Sequence, residues 1–183
     1  MNQLMSNQEE LIKIVIMGLE NAGKTTIVDV LTQKIRYNQL TPPDMSPTKN
    51  IERSIISERN VVVWDFGGQE VYRNEYLADP ETYLRSISFA YYVVDVQDYY
   101  RLFNSIMYFM TVLPIIVRNS PDAEFNILFN KTDPEFDSTK KNLKQMFLDK
   151  VESFIQGHKK SIKIFDTSIF DLNSIKNAFS HVK

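Results

Sequence analysis

The chain has 183 residues, 43% hydrophobic and 24% charged, and its formal net charge is −2. This length suits one well-packed domain, and the near-neutral charge gives no electrostatic reason to expect nucleic acid as a partner. The chain has no cysteine, which excludes disulfides, thiolate metal sites and a cysteine nucleophile. No uninterrupted apolar run approaches the roughly 18 residues of a membrane span, and the start lacks the pattern of a signal peptide. We therefore expect a cytoplasmic protein.

Apolar runs and helical patterns alternate along the chain. The predicted strands cover residues 11–17, 49–57, 60–65, 88–96, 124–130 and 161–166. The predicted helices cover residues 25–36, 81–87, 99–118, 138–156 and 172–182. Residues 37–48 carry three prolines and predict an extended loop, residues 66–80 are polar and predicted to be irregular, and residues 1–9 are expected to be a flexible N-terminus.

This alternation predicts a single domain over residues 10–183, an α/β fold with a mostly parallel sheet covered on both faces. In such sheets, ligands bind beyond the carboxyl ends of the strands. The polar motifs described next follow predicted strands.

Four of the five glycines lie in two short clusters, at residues 18–23 and 67–68. The first cluster, GLENAGKTT over residues 18–26, fits G-x-x-x-x-G-K-[ST] between a strand and a helix, and we call it the P-loop. The N–H groups of such a loop and the helix N-terminus bind phosphate. Lys24 is expected to reach the β- and γ-phosphates, and Thr25 to ligate Mg²⁺; an incidental glycine turn is the alternative. The predicted nucleotide-binding residues here are Glu20, Asn21, Ala22, Gly23, Lys24, Thr25 and Thr26.

A second motif, Asn130-Lys131-Thr132-Asp133, follows the strand at 124–130 and is called the base loop. The Asp133 carboxylate can accept hydrogen bonds from the N1–H and N2 amine of guanine, a donor pair that adenine lacks. Asn130 and Lys131 are expected to brace the loop and the base. The backbone of Thr167, Ser168 and Ile169 could meet the guanine O6, although a cap on the following helix explains the hydroxyls equally well.

A second metal-binding side chain is predicted at Asp65, which ends a strand and is expected to hold Mg²⁺ through water. Thr48 is the candidate for a further Mg²⁺ ligand in the GTP-bound state, which would order the 37–48 loop with GTP. The alternative is that Thr48 only begins the next strand.

Hydrolysis is assigned to the segment that follows Asp65. The Gly68 N–H can contact the γ-phosphate, and Gln69 can orient the attacking water. No arginine lies between residues 37 and 48, so we expect slow hydrolysis and an activating partner. The predicted catalytic residues are Gln69, Lys24 and Gly68.

The P-loop, the WDFGGQE motif at 64–70, NSPDA at 119–123 and TSIFD at 167–171 resemble the Arf and Rag (Gtr) side of the Ras-like small GTPases, across residues 11–182. The resemblance implies a three-layer P-loop NTPase G domain with a six-stranded sheet, mostly parallel with one antiparallel edge pair. It also implies a GTP/GDP switch with Mg²⁺, a hydrolytic role for Gln69, and GTPase-activating, exchange-factor and effector partners.

The chain differs from the family pattern at both ends. It stops at Lys183 without the roadblock-type dimerisation domain of Rag proteins, and Asn2 stands where Arf myristoylation requires glycine. We therefore expect a G domain that acts alone, with at most weak peripheral membrane contact and with dimerisation left open.

Two other functions stay open. The first is a GTP-bound scaffold with negligible turnover. The second is a P-loop kinase, although a base loop that selects guanine argues against it. His158 and His181 are expected on the surface, and most aromatic side chains in the core.

Overall fold

The computed structural model describes residues 11–33, 48–56, 60–133, 135, 142–158 and 160–182. The strands are β1 Ile12–Gly18, β2 Ile51–Ile56, β3 Val61–Phe66, β4 Phe89–Asp95, β5 Glu124–Asn130 and β6 Ile162–Thr167. The helices are α1 Lys24–Leu31, α2 Glu70–Ala78, α3 Pro80–Tyr83, α4 Leu102–Asn119, α5 Leu143–Gly157 and α6 Leu172–Ala178.

The six strands form one sheet in the order β2-β3-β1-β4-β5-β6. Every neighbouring pair is parallel except β2 and β3, which form the antiparallel edge pair. β1 is central and buried from Lys13 to Gly18, as expected for a strand covered on both faces. The predicted fold class is confirmed.

Helices cover both faces of the sheet, and side chains that alternate along a strand enter different cores. Tyr91 of β4 stacks on Phe179, with ring centroids 4.0 Å apart, in the core beneath α1 and α6. The next residue, Tyr92, meets Phe109 of α4 edge to face at 5.3 Å, in the core that α4 and α5 share. This arrangement gives the three predicted layers.

The prediction that residues 66–80 are irregular was wrong, because Glu70–Ala78 forms α2. Glu70 lies in the first turn, where a carboxylate interacts favourably with the helix dipole. Tyr76 is the one buried residue of this helix: its ring meets Phe66 at 4.5 Å and its hydroxyl donates to Asn50 O at 2.6 Å. Tyr72 and Leu77 also pack against the core but are only partly buried, and Val71 is exposed, so the apolar face of this helix is hard to recognise from the sequence.

Several helix ends also differ from the prediction. α4 begins at Leu102 instead of residue 99, after a turn in which Asp98 Oδ1 accepts from the Arg101 N–H at 3.1 Å. The short helix begins at Pro80, capped by Asp79, and ends at Tyr83, and α6 ends at Ala178. The predicted flexible N-terminus and the 37–47 loop lie outside the described residues, as do residues 34–36 and 138–141 of two predicted helices.

The longest helix is α4, whose 18 residues have a mean hydropathy of 1.3 and are, by length and composition alone, sufficient to cross a membrane. Its apolar character has a different explanation, because Phe109, Val112 and Leu113 are fully buried in the core against the sheet. Phe103 on the same helix is 69% exposed, so the expectation of core packing does not hold for that aromatic residue.

Candidate functional site

The P-loop connects β1 to α1 at the carboxyl edge of the sheet. The structure places the seven nucleotide-binding residues that were predicted in the P-loop, from Glu20 to Thr26, in this turn and the first turn of α1. Gly23 has a φ of 89°, and a Cβ there would approach Asn130 Nδ2 to 2.3 Å, so only glycine fits. The N-terminus of α1 and the turn before it are therefore shaped as an anion-binding site.

Lys24 is buried and its Nζ donates to the carbonyl of Leu19 at 2.8 Å. Burial lowers the pKa of Lys24 from 10.5 to about 8, and the neighbouring carboxylate of Asp65 partly opposes this shift. A buried cation at a helix N-terminus is costly without an anionic partner, so the site is suited to a phosphate group.

The three predicted metal-binding side chains converge. Thr25 Oγ1 lies 2.7 Å from Thr48 Oγ1 and donates to Asp65 Oδ2 at 2.6 Å, and Thr48 Oγ1 donates to the same oxygen at 3.2 Å. Burial raises the pKa of Asp65, while the two hydroxyls and Lys24 act in the opposite direction. The other carboxylate oxygen, Oδ1, is buried and has no hydrogen-bond partner among the described residues.

This cluster fits Mg²⁺, which prefers hard oxygen ligands and keeps part of its water shell. One carboxylate and two hydroxyls supply the oxygens, and the orphaned Asp65 Oδ1 offers an acceptor for a metal-bound water. Within the described ranges, no group of three or more histidine, aspartate or glutamate side chains provides another metal site.

The double glycine before Gln69 lies directly against the P-loop. Gly68 O accepts from the Glu20 N–H at 3.1 Å, and a Cβ at Gly68 would approach Glu20 N to 2.2 Å. The N–H of Gly67 donates to Asn50 O at 2.8 Å, which ties the same segment to the start of β2. Gln69 immediately precedes α2 in extended conformation, so its position is set by the contact between Gly68 and Glu20. The contact of the Gly68 N–H with phosphate stays a prediction.

The base loop is joined to the P-loop and to the end of β6 by buried hydrogen bonds. Asn130 Nδ2 donates to Ala22 O at 2.8 Å, and Asn130 Oδ1 accepts from Thr167 Oγ1 at 3.0 Å. Asp133 Oδ1 accepts from Ser168 Oγ at 2.6 Å, which orients the carboxylate. The structure thus brings the predicted phosphate and base residues to one edge of the sheet.

The alternative assignment of Thr167 and Ser168 as helix caps is wrong. Asp171 caps α6, because its carboxylate accepts from the N–H groups of Asn173 and Ser174. The Ser168 N–H donates to Ser174 Oγ at 3.1 Å, so that N–H is already engaged by the first turn of α6. Ile169 follows as a partly buried residue packed against the core.

Sequence reasoning missed three polar residues at the carboxyl end of β4 and in the turn after it. Asp95 pairs with Lys131 Nζ at 2.6 Å, and Gln97 Nε2 donates to Asp133 Oδ2 at 2.9 Å and to Lys131 O at 2.8 Å. Arg101 Nη1 donates to Glu20 O at 3.3 Å. Their position was the available signal: the carboxyl end of β4 must lie between those of β1 and β5 in a sheet of this order.

This geometry defines a P-loop nucleotide-binding domain, with a phosphate loop after β1 and a carboxylate-bearing loop after β5. The chain belongs to the Gtr1/RagA G protein family, whose conserved region matches residues 13–183. The resemblance drawn from the sequence is confirmed.

Similarity to individual proteins extends to both the Arf and the Rag sides. The chain is 33% identical to ADP-ribosylation factor-like protein 5A of Homo sapiens over 100 residues, 55% of this chain and 50% of the relative. It is 28% identical to the Ras-related GTP-binding protein C of Homo sapiens over 183 residues, covering 93% of this chain and 43% of that protein. The chain therefore spans about half the length of these curated relatives, or less.

Among solved structures, the Arl6 BBS3 small GTPase of Trypanosoma brucei with the bound nucleotide analogue GppNp superposes with a TM-score of 0.67 at 25% identity. The alignment covers 93% of this chain and 94% of that one.

Proposed function

We propose that this protein is a guanine-nucleotide switch that binds GTP or GDP with Mg²⁺ and hydrolyses GTP slowly to GDP. The observation that carries the proposal is the 2.8 Å hydrogen bond from Asn130 Nδ2 to Ala22 O. It joins the loop that bears Asp133 to the loop that would hold the phosphates, so one nucleotide can engage both. Asp133 then selects guanine by accepting from its N1–H and N2 amine, which adenine cannot match.

Thr25, Thr48 and Asp65 would hold Mg²⁺. The ion supplies positive charge that offsets the charge of the phosphates during phosphoryl transfer. Lys24 contributes a second positive charge from within the P-loop. Thr48 directly follows the 37–47 segment, so a dependence of its position on the γ-phosphate would make that segment respond to the nucleotide state. This is our proposal for the switch.

Gln69 is proposed to orient the attacking water from its position before α2. The chain has no arginine between residues 37 and 48, and an arginine finger contributes about 10³–10⁵ in rate, so the isolated protein should hydrolyse GTP slowly. We propose that a GTPase-activating protein supplies this charge, and that exchange factors and effectors act on the same protein in the cytoplasm. The same lack of an arginine leaves a second function, a GTP-bound scaffold with negligible turnover.

Phosphate release from GTP-loaded protein, measured in a single turnover beside a Gln69→Leu variant, tests hydrolysis. A slow but measurable rate that falls at least tenfold in the variant is expected. Equal rates in the two proteins would contradict the role of Gln69 and favour the scaffold. The control is Gln145→Leu, the same substitution at an exposed position on α5, which should leave the rate unchanged.

A further inference from the structure

The P-loop contains a carboxylate, Glu20, within a turn shaped for anions. Its side chain is 49% exposed, and its N–H donates to Gly68 O, the residue before Gln69. Glu20 therefore lies at the side of the P-loop that faces the hydrolytic segment. Under the proposed function, this is the side on which the γ-phosphate belongs. An unneutralised carboxylate there would repel a triphosphate more than a diphosphate.

Arg101 bridges from the start of α4 to this residue. Its Nη1 donates to the Glu20 carbonyl at 3.3 Å and lies 3.5 Å from Glu20 Oε1. Its Nε donates to Asp98 Oδ2, and its backbone N–H donates to Asp98 Oδ1 at 3.1 Å. The two hydrogen bonds to Asp98 thus orient the guanidinium so that it points to the P-loop.

Glu20, Asp98 and Arg101 line one small cavity beside the carboxyl end of β4. Arg101 therefore connects the start of α4 to the Glu20 main chain, in addition to the hydrogen bond that joins the Glu20 N–H to Gly68 O.

We propose that Arg101 is a positioning residue of the nucleotide site: it neutralises Glu20 and fixes the P-loop main chain against Gly68, so that the site favours the triphosphate. This inference rests on the proposed function. Arg101 acts through Glu20, and the expected effect is on the preference for GTP over GDP more than on nucleotide binding as such.

The test is a double-mutant cycle on the full chain with Arg101→Ala, Glu20→Gln and the double variant. The dissociation constants of GDP and of a non-hydrolysable GTP analogue are measured by fluorescence with Mg²⁺. Arg101→Ala should reduce the triphosphate preference about three- to tenfold, as expected for one charge acting across a partly solvated site. The double variant should return to within twofold of the wild type, because the repelling carboxylate is gone.

Arg85→Ala is the matched control, since Arg85 forms an exposed pair with Glu81 at 3.8 Å and its side chain is 71% exposed. It should leave the preference unchanged. If Arg101→Ala does not fold, Glu20→Gln alone decides: removing the carboxylate while keeping the guanidinium should raise the preference at least twofold.

The inference is overturned if wild-type protein binds guanine nucleotides but Arg101→Ala retains its triphosphate preference within twofold, or if Glu20→Gln lowers that preference. Failure of the wild type to bind guanine nucleotides at all would instead reject the proposed function, so the two failures are distinguishable.

Discussion

The side-chain amide of Asn130 donates a buried hydrogen bond to the carbonyl of Ala22 across 108 residues of sequence. Gly23, the next residue after Ala22, leaves space for that amide because any Cβ would lie 2.3 Å from Asn130 Nδ2. The phosphate loop and the base loop are therefore built as one unit, each shaped by the other. This relationship is the source of the first prediction.

Asn130→Ala should lower both stability and nucleotide affinity. It leaves the Ala22 carbonyl and the buried Thr167 hydroxyl without their partner, which costs about 1–3 kcal/mol for a buried polar group. Urea denaturation gives the free energy of unfolding, and GDP titration gives the affinity. Asn104→Ala, at an exposed position on α4, is the control. An unchanged GDP affinity in Asn130→Ala would show that the two loops bind independently.

Asp133→Asn should change the base specificity of the site from guanine to xanthine. The carboxylate accepts from the guanine N2 amine, whereas an amide can donate to the C2 carbonyl of xanthine. We expect GDP affinity to fall at least about a hundredfold and xanthosine diphosphate affinity to rise, measured by competition with a fluorescent nucleotide. The control is Asp122→Asn, changed at an exposed turn residue. If Asp133→Asn still prefers guanine nucleotides, the base is not recognised by the Asp133 carboxylate.

Lys13 makes the stability depend on pH. Its Nζ donates to the carbonyls of Tyr83 and Arg85 at 3.0 and 2.9 Å. Burial, and then the charge of Arg53, lower the pKa of Lys13 from 10.5 to about 8. Between these two pH values the unfolded chain binds one more proton than the folded one, so this contribution to stability increases with pH.

The check is the free energy of unfolding of wild type and Lys13→Met at pH 7.5 and 9.5. From pH 7.5 to 9.5 the free energy of unfolding of the wild type should increase relative to that of the variant, by at most about 1.4 kcal/mol per pH unit. Other titrating groups cancel in this difference. If the free energies of unfolding of the two proteins change equally with pH, the lowered pKa of Lys13 is contradicted.

Tyr76→Phe should weaken the attachment of α2. The phenol donates to Asn50 O at 2.6 Å, while the ring packs on Phe66, so removing the hydroxyl costs about 1 kcal/mol and keeps the packing. Hydrogen exchange should increase in α2 and at Gly67, whose N–H also donates to Asn50 O. Tyr100→Phe, at a tyrosine before α4 that is 92% exposed, is the control. Unchanged exchange in α2 would mean that the hydrogen bond does not hold it.

Both loops were predictable because their signals are local. An apolar run followed by G-x-x-x-x-G-K-T needs only neighbouring residues to specify a strand, a turn and a helix N-terminus, and the base loop follows β5 in the same way. Asp65, Thr25 and Thr48 were assigned to one metal from motifs, and the structure brings their oxygens together.

The features that could not be predicted depend on distant contacts. α2 packs through the buried Tyr76 on Phe66, while its other core contacts, Tyr72 and Leu77, are only partly buried, so the segment looks polar in the sequence. His181, expected on the surface, instead stacks on Phe165 and pairs with Glu124 Oε1 at 2.8 Å, because the turn after α6 returns to the edge of the sheet. Gln97 and Arg101 match no motif, and only the neighbouring positions of β1, β4 and β5 bring them to the nucleotide loops.

The most direct test of guanine selection is displacement of a fluorescent GDP analogue from the purified full chain, with Mg²⁺ present, by GTP, GDP or ATP. A carboxylate that accepts two hydrogen bonds from guanine should discriminate strongly against a base without those donors. The account predicts that GTP and GDP displace the probe at concentrations at least about a thousandfold below that of ATP. Displacement by ATP at concentrations comparable to those of GTP would contradict it.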